Sequence, residues 1–158
     1  LNKAYIYSMA MYSNFITNFD NVDPGETLYR YSFSSYKGES DSERARCFGW
    51  GASNPPVSLW MKGPQEGYLS SKESFFNIDA SNVILLTFKK ADDENGYILR
   101  LMEMKGSQTQ ARLTLPILNI HHAYETDLVE EKPQELSSDS HSLDVTLKPF
   151  AIVTIRIV

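Results

Sequence analysis

His121 and His122 stand side by side, and imidazole is the commonest side-chain ligand for metals such as zinc. Neighbours on a strand point to opposite faces, so this pair does not chelate one ion, and His141 is isolated from both in sequence. All three read as structural or exposed histidines. Acid–base hydrolysis by paired carboxylates needs two of them facing a substrate across roughly 5 to 10 Å. Asp92, Asp93 and Glu94 fall in a predicted hairpin turn, and Glu130 and Glu131 in a loop before Pro133, where solvated charge is the ordinary role. Cys47 would need a nearby His or a helix N-terminus to become a strong nucleophile. It lies instead toward the end of a short predicted helix beside Phe48 and Trp50, and reads as a buried small hydrophobe. There is no Gly-rich phosphate loop, no zinc-spaced Cys pair and no Gly-x-Ser-x-Gly elbow. No catalytic, cofactor-binding or metal-binding residue is assigned.

Aromatic rings keep a binding role open, because sugars stack their apolar faces on exposed Trp and Tyr. Tyr5, Tyr7, Tyr12, Phe15, Phe19, Tyr29, Tyr31, Phe33 and Tyr36 crowd the first part of the chain. Alternating aromatics on half-buried strands also fill sandwich interiors. Tyr12, Phe15, Ile16 and Phe19, just before a Pro-Gly turn, therefore have two readings: core, or a domain-facing or sugar-facing patch.

The elements that must position these residues are short. Apolar runs of four to nine residues, rich in Val, Ile, Thr, Phe and Tyr, alternate with Gly, Pro, Asn, Asp and Ser. The pattern predicts an all-β, antiparallel β-sandwich with at most one short helix. Strands are expected at 4–11, 28–34, 57–61, 74–78, 83–89, 97–104, 110–115, 120–125, 143–147 and 152–158. Asn95-Gly96 marks a hairpin between the fifth and sixth of these. The alternation at the end of the chain turns Val153, Ile155 and Ile157 inward and Arg156 toward solvent or the sheet rim. Ser40 and Glu43 have capping-box spacing for a helix that Gly49 would end. A composition shift near 70–82 divides the chain into an N-terminal β region, 1–75, and a C-terminal sandwich, 76–158.

The 158 residues suffice for a real core. A formal net charge of −5 argues against nucleic acid, since phosphate binding needs concentrated Lys and Arg. The apolar runs are far shorter than the roughly 20 residues a membrane-spanning helix requires. A single cysteine rules out an internal disulfide and favours a cytoplasmic setting. The chain opens on Leu1 rather than Met, with predicted structure from Ala4, so it is expected to begin partway through a longer product.

Four pieces in the final third, taken in order, are more specific than composition. They are Gly96 to Glu103 (GYILRLME), Ala111 to Pro116 (ARLTLP), Ala123 to Glu131 (AYETDLVEE) and Leu147 to Ile155 (LKPFAIVTI). The set resembles the C-terminal sandwich of family 38 α-mannosidases, where the pieces read ILRLYE, a strand ending at Pro, ETDLLE and L-x-PFEI-x-T. Asn82 to Lys89 is similar to that family's NVVLTALK strand, and Asn14 to Phe19 to its YWxTNF segment. Met102 and Ala151 depart from the commoner aromatic and Glu, and Met104-Lys105-Gly106 shortens a turn. The resemblance implies that this chain is the non-catalytic sandwich of a retaining, zinc-dependent α-mannosidase. The zinc and the Asp nucleophile would lie in a separate catalytic domain of the same polypeptide, and the glycan would meet the parent enzyme there. No catalytic or metal residue carries over to this chain, and no cofactor is expected in it. The rival expectation is an autonomous carbohydrate-binding module with a flat aromatic platform.

Overall fold

The computed structural model describes residues 5–10, 25–39 and 41–158. The backbone divides into two units, Leu1–Lys37 and Gly38–Val158. In the first, the described residues form neither helix nor strand. Tyr5 and Tyr7 bring their rings to 5.9 Å, and the Ser8 hydroxyl hydrogen-bonds the Tyr31 hydroxyl at 2.9 Å. The strands expected at 4–11 and 28–34 are thus absent among the described residues. Their side chains explain why: Ile6, Tyr7, Leu28 and Phe33 are all exposed. β-propensity reports the fit of a side chain to a covered, pleated surface, and without cover it stabilises no strand.

The second unit opens with helix α1, Ser42–Ser53. Its N-cap is Asp41, whose carboxylate accepts the N–H groups of Glu43 at 3.0 Å and Arg44 at 3.2 Å. Ser40 of the expected capping box lies outside the described residues. The helix also runs past Gly49, the expected stop, and through Gly51. A helical Gly costs only about 1 kcal/mol relative to Ala, which weakens a helix without ending it. Pro55 ends it, because the residue before a proline is driven from the helical region. Asn54 closes the turn by donating both its backbone N–H and its side-chain amide to the Trp50 carbonyl. No residue of α1 is buried, and Cys47 is exposed rather than the buried hydrophobe expected. The neighbouring Phe48 and Trp50 give it no cover, since both are themselves more than a third exposed.

The sandwich follows. Strands β1 (Asn77–Ile78), β4 (Thr109–Thr114) and β7 (Ser142–Leu147) form a three-stranded sheet in that order. Strands β2 (Val83–Lys90), β3 (Tyr97–Glu103), β8 (Ile152–Ile157), β5 (Ala123–Thr126) and β6 (Gln134–Leu136) form a five-stranded sheet in the order β2-β3-β8-β5-β6. Every pairing is antiparallel, so the expected fold class holds. The expected strand at 57–61 is irregular backbone with Trp60 90% exposed, that at 74–78 shortens to β1, and β6 was not anticipated.

Alternation explains the core. Leu99 and Leu101 from β3, Ala111 and Leu113 from β4, Leu143, Val145 and Leu147 from β7, and Val153, Ile155 and Ile157 from β8 meet between the sheets. The inward face of the closing strand is therefore the one its period of two predicted. Phe150 and Ile152, just before it and at its start, are about half exposed. The β2–β3 hairpin forms as expected, and Gly96 takes φ +90° in its turn.

Candidate functional site

Glu103 ends β3 on the inward face and is fully buried. A lone buried carboxylate would be costly, yet this one is surrounded by donors. One oxygen accepts the Asn82 side-chain amide at 2.8 Å and the Lys105 N–H at 2.7 Å. The other accepts the Gly106 N–H at 2.8 Å and the Phe150 N–H at 2.9 Å. Burial is the largest single influence and pushes the pKa up, but the Phe150, Lys105, Asn82 and Gly106 donors together outweigh it and hold it at about 2. The carboxylate thus ties the β3–β4 turn, the approach to β2 and the β7–β8 turn to one point.

That point has a surface expression. Phe150 adopts φ +56°, a left-handed conformation unusual for an aromatic residue, with its N–H aimed at Glu103. Its ring lies over Gly106, where a Cβ would come within 2.6 Å of it. The Arg46 guanidinium of α1 sits 5.0 Å from the ring centroid, a cation–π contact joining helix to sandwich.

The outer face of the five-stranded sheet holds a second polar cluster. The loop after β5 folds back with Asp127 as its internal cap, accepting the Val129 and Glu131 N–H groups. The Glu131 N–H bond is the main cause that holds the Asp127 pKa below its ordinary value, against burial, with Lys132 helping. Glu130, in the same loop, is not the solvated charge expected. Its side chain is 6% exposed and pairs with Lys89 at 2.6 Å, while it also accepts the Asp92 N–H at 2.9 Å. The Lys89 bond and then the Asp92 N–H hold its pKa low. Arg100, 3.7 Å from the same carboxylate, donates to the Leu128 carbonyl. Arg156 points outward as expected but not into solvent: it binds Asp93 and the Asn95 carbonyl and pins the hairpin turn. On the smaller sheet Arg112 holds Asp139 and Asp144 together.

These acids are committed to holding loops. His121 and His122 line a cleft of 510 Å³ with Glu135, Ser137 and Ser138, and His122 stands 3.9 Å from the Glu135 carboxylate. His141, far from them in sequence, contacts the Leu118 carbonyl. Among the described residues no group of three or more His, Cys, Asp or Glu side chains could hold a metal ion. Nor is any helix among them long and apolar enough to cross a membrane.

The expected patch of Tyr12, Phe15, Ile16 and Phe19 lies outside the described residues. Exposed apolar side chains nevertheless concentrate before the sandwich, at Ile6, Tyr7, Leu28 and Phe33 in the first unit and at Val57, Leu59, Trp60 and Tyr68 in the second. The aromatic pairs Tyr5–Tyr7 and Phe88–Tyr97 are tilted by 37° and 35°. Sequence reasoning passed over Glu103 as one letter of a strand. The available signal was a carboxylate on the inward parity of an apolar strand, where burial demands donors.

Residues 82–155 match the family model described as the glycosyl hydrolases family 38 C-terminal beta sandwich domain. No curated protein matches the chain.

Proposed function

We propose, from the match of residues 82–155 to the glycosyl hydrolases family 38 C-terminal β-sandwich domain, that this chain is the supporting portion of an α-mannosidase-like hydrolase. The whole protein would hydrolyse α-mannosidic bonds with zinc held in its catalytic domain. This part packs against that domain and braces it. The match over the ordered sandwich carries the reading. Two physical features support it. Glu103, Asp127, Glu130, Arg112 and Arg156 of the sandwich are engaged with backbone or with other side chains, as in a scaffold. The exposed Trp60, Tyr68, Val57 and Leu59 form apolar surface that a neighbouring domain would cover.

The test is co-expression of this chain with the remaining region of its open reading frame as two polypeptides. Recovery of a complex that hydrolyses an aryl α-mannoside, with the chain alone inactive in the presence of zinc, is the expected result. Sustained turnover by the purified chain alone, or no association with the rest, would overturn the reading.

A further inference from the structure

The geometry points to Asn95 as a site of spontaneous covalent modification, its side-chain amide converting through a cyclic imide to aspartate and isoaspartate. Succinimide formation requires the backbone nitrogen of the following residue to reach the asparagine Cγ, and a side chain on that residue obstructs the approach. Asn95 is the one asparagine of the chain followed by glycine; Asn54, Asn77, Asn82 and Asn119 precede Pro, Ile, Val and Ile. The fold keeps the glycine in place. At φ +90° a Cβ on Gly96 would stand 2.1 Å from the Ile157 carbonyl oxygen.

The turn also leaves the nucleophile free. In a closed antiparallel pair the Gly96 N–H would bond the Ala91 carbonyl. Here Ala91 donates to the Gly96 carbonyl at 3.0 Å, but its own carbonyl accepts the Glu94 N–H at 2.9 Å. Among the described residues none accepts the Gly96 N–H. Asn95 is exposed, so water and base reach it. Its backbone carbonyl accepts two bonds from Arg156, at 3.1 Å and 2.7 Å, and the Asn95 N–H is held by Asp93 at 3.0 Å.

The step balances without any redox partner. Solvent base takes the Gly96 amide proton and the nitrogen attacks Asn95 Cγ. The N–Cγ bond forms, the Cγ–Nδ2 bond breaks, and Nδ2 leaves as ammonia. Water then opens the five-membered imide. Attack at Cγ restores the ordinary backbone with aspartate at position 95. Attack at the backbone carbonyl carbon routes the chain through the former side chain as isoaspartate. The second product adds a methylene to the β2–β3 turn and carries the carbonyl away from Arg156.

The experiment incubates the folded chain across neutral to mildly alkaline pH and follows each asparagine by peptide mapping and mass spectrometry. Asn95 should lose its amide several-fold faster than Asn54, Asn77, Asn82 and Asn119, increasingly so as pH rises, with isoaspartate among the products. Asn95→Gln, whose cyclisation needs a larger ring, should abolish the mass gain in that peptide while leaving the melting temperature unchanged. Retention of the Asn95 amide while the other asparagines convert would overturn the proposal. So would persistence of the mass gain in Asn95→Gln.

Discussion

Two stretches of similar apolar character meet opposite fates. In β3, Ile98, Leu99 and Leu101 are completely buried, whereas Val57, Leu59 and Trp60 are 98%, 84% and 90% exposed. Both have the apolar pattern of a strand, and hydrophobicity does not separate them. What separates them is a partner. β3 has β2 on one side and β8 on the other, and a second sheet covers its inward face. Among the described residues no strand pairs with Val57 to Trp60. Apolar alternation thus states a demand for cover, and the cover decides whether a strand forms.

The sharpest way to break this comparison is Ile155→Ala, the largest effect expected. Ile155 is fully buried and pairs with Leu99 on one side and Glu125 on the other. Truncating such a residue costs about 2 to 5 kcal/mol through lost transfer energy and the cavity left behind. Urea denaturation should show a lower midpoint with an unchanged slope. An unchanged midpoint would remove the closing strand from the core.

Glu103→Gln comes next. Each Glu103 oxygen accepts two donors, and the Gln amide replaces one oxygen by an NH2 group that faces two N–H donors it cannot accept. The melting temperature should fall more than for any other single charge removal in the sandwich. The pH dependence has a definite sign. Because the folded pKa lies at about 2, below the ordinary 4.5, the carboxylate's contribution is complete above the ordinary value. It is lost as pH falls from there toward 2. The wild type should therefore lose stability across that window more steeply than Glu103→Gln, and parallel acid profiles would show that the ionised form is not what the four donors stabilise.

Glu130→Gln should follow the same sign with a smaller amplitude. Lys89, its main partner, is one-third exposed, so water and salt screen the pair. The loss in melting temperature should shrink as salt is added, whereas that of Glu103→Gln should not. If neither loss changed with salt, the Glu130–Lys89 pair would be as shielded from solvent as Glu103.

The sandwich was legible because its signals are local. Alternation gave the faces of β8, Asn95-Gly96 gave the hairpin, and Pro-, Gly- and Asp-rich breaks gave most strand ends. What escaped required knowledge of distant neighbours. Glu103 becomes an anchor only when Phe150 and Asn82 arrive from other turns, and Glu130 is covered only because its loop folds back over Lys89 and Arg100. The apolar neighbours of Cys47 predict its burial, but α1 presents no buried face for it to join.

Trp60→Ala should have the smallest effect on the chain alone, and for that reason it sharpens the comparison most. An indole 90% exposed has little buried surface to lose, so the change in unfolding free energy should stay within about 0.5 kcal/mol, the usual range for surface substitutions. If the proposed packing against a catalytic domain is correct, the same substitution should weaken association with the separately expressed remainder of the polypeptide, because large aromatics dominate such interfaces. Measured side by side, Ile155→Ala should damage folding, while Trp60→Ala should damage assembly alone. A Trp60→Ala chain that folds and assembles like the wild type would show that the apolar surface covering the catalytic domain lies away from Trp60.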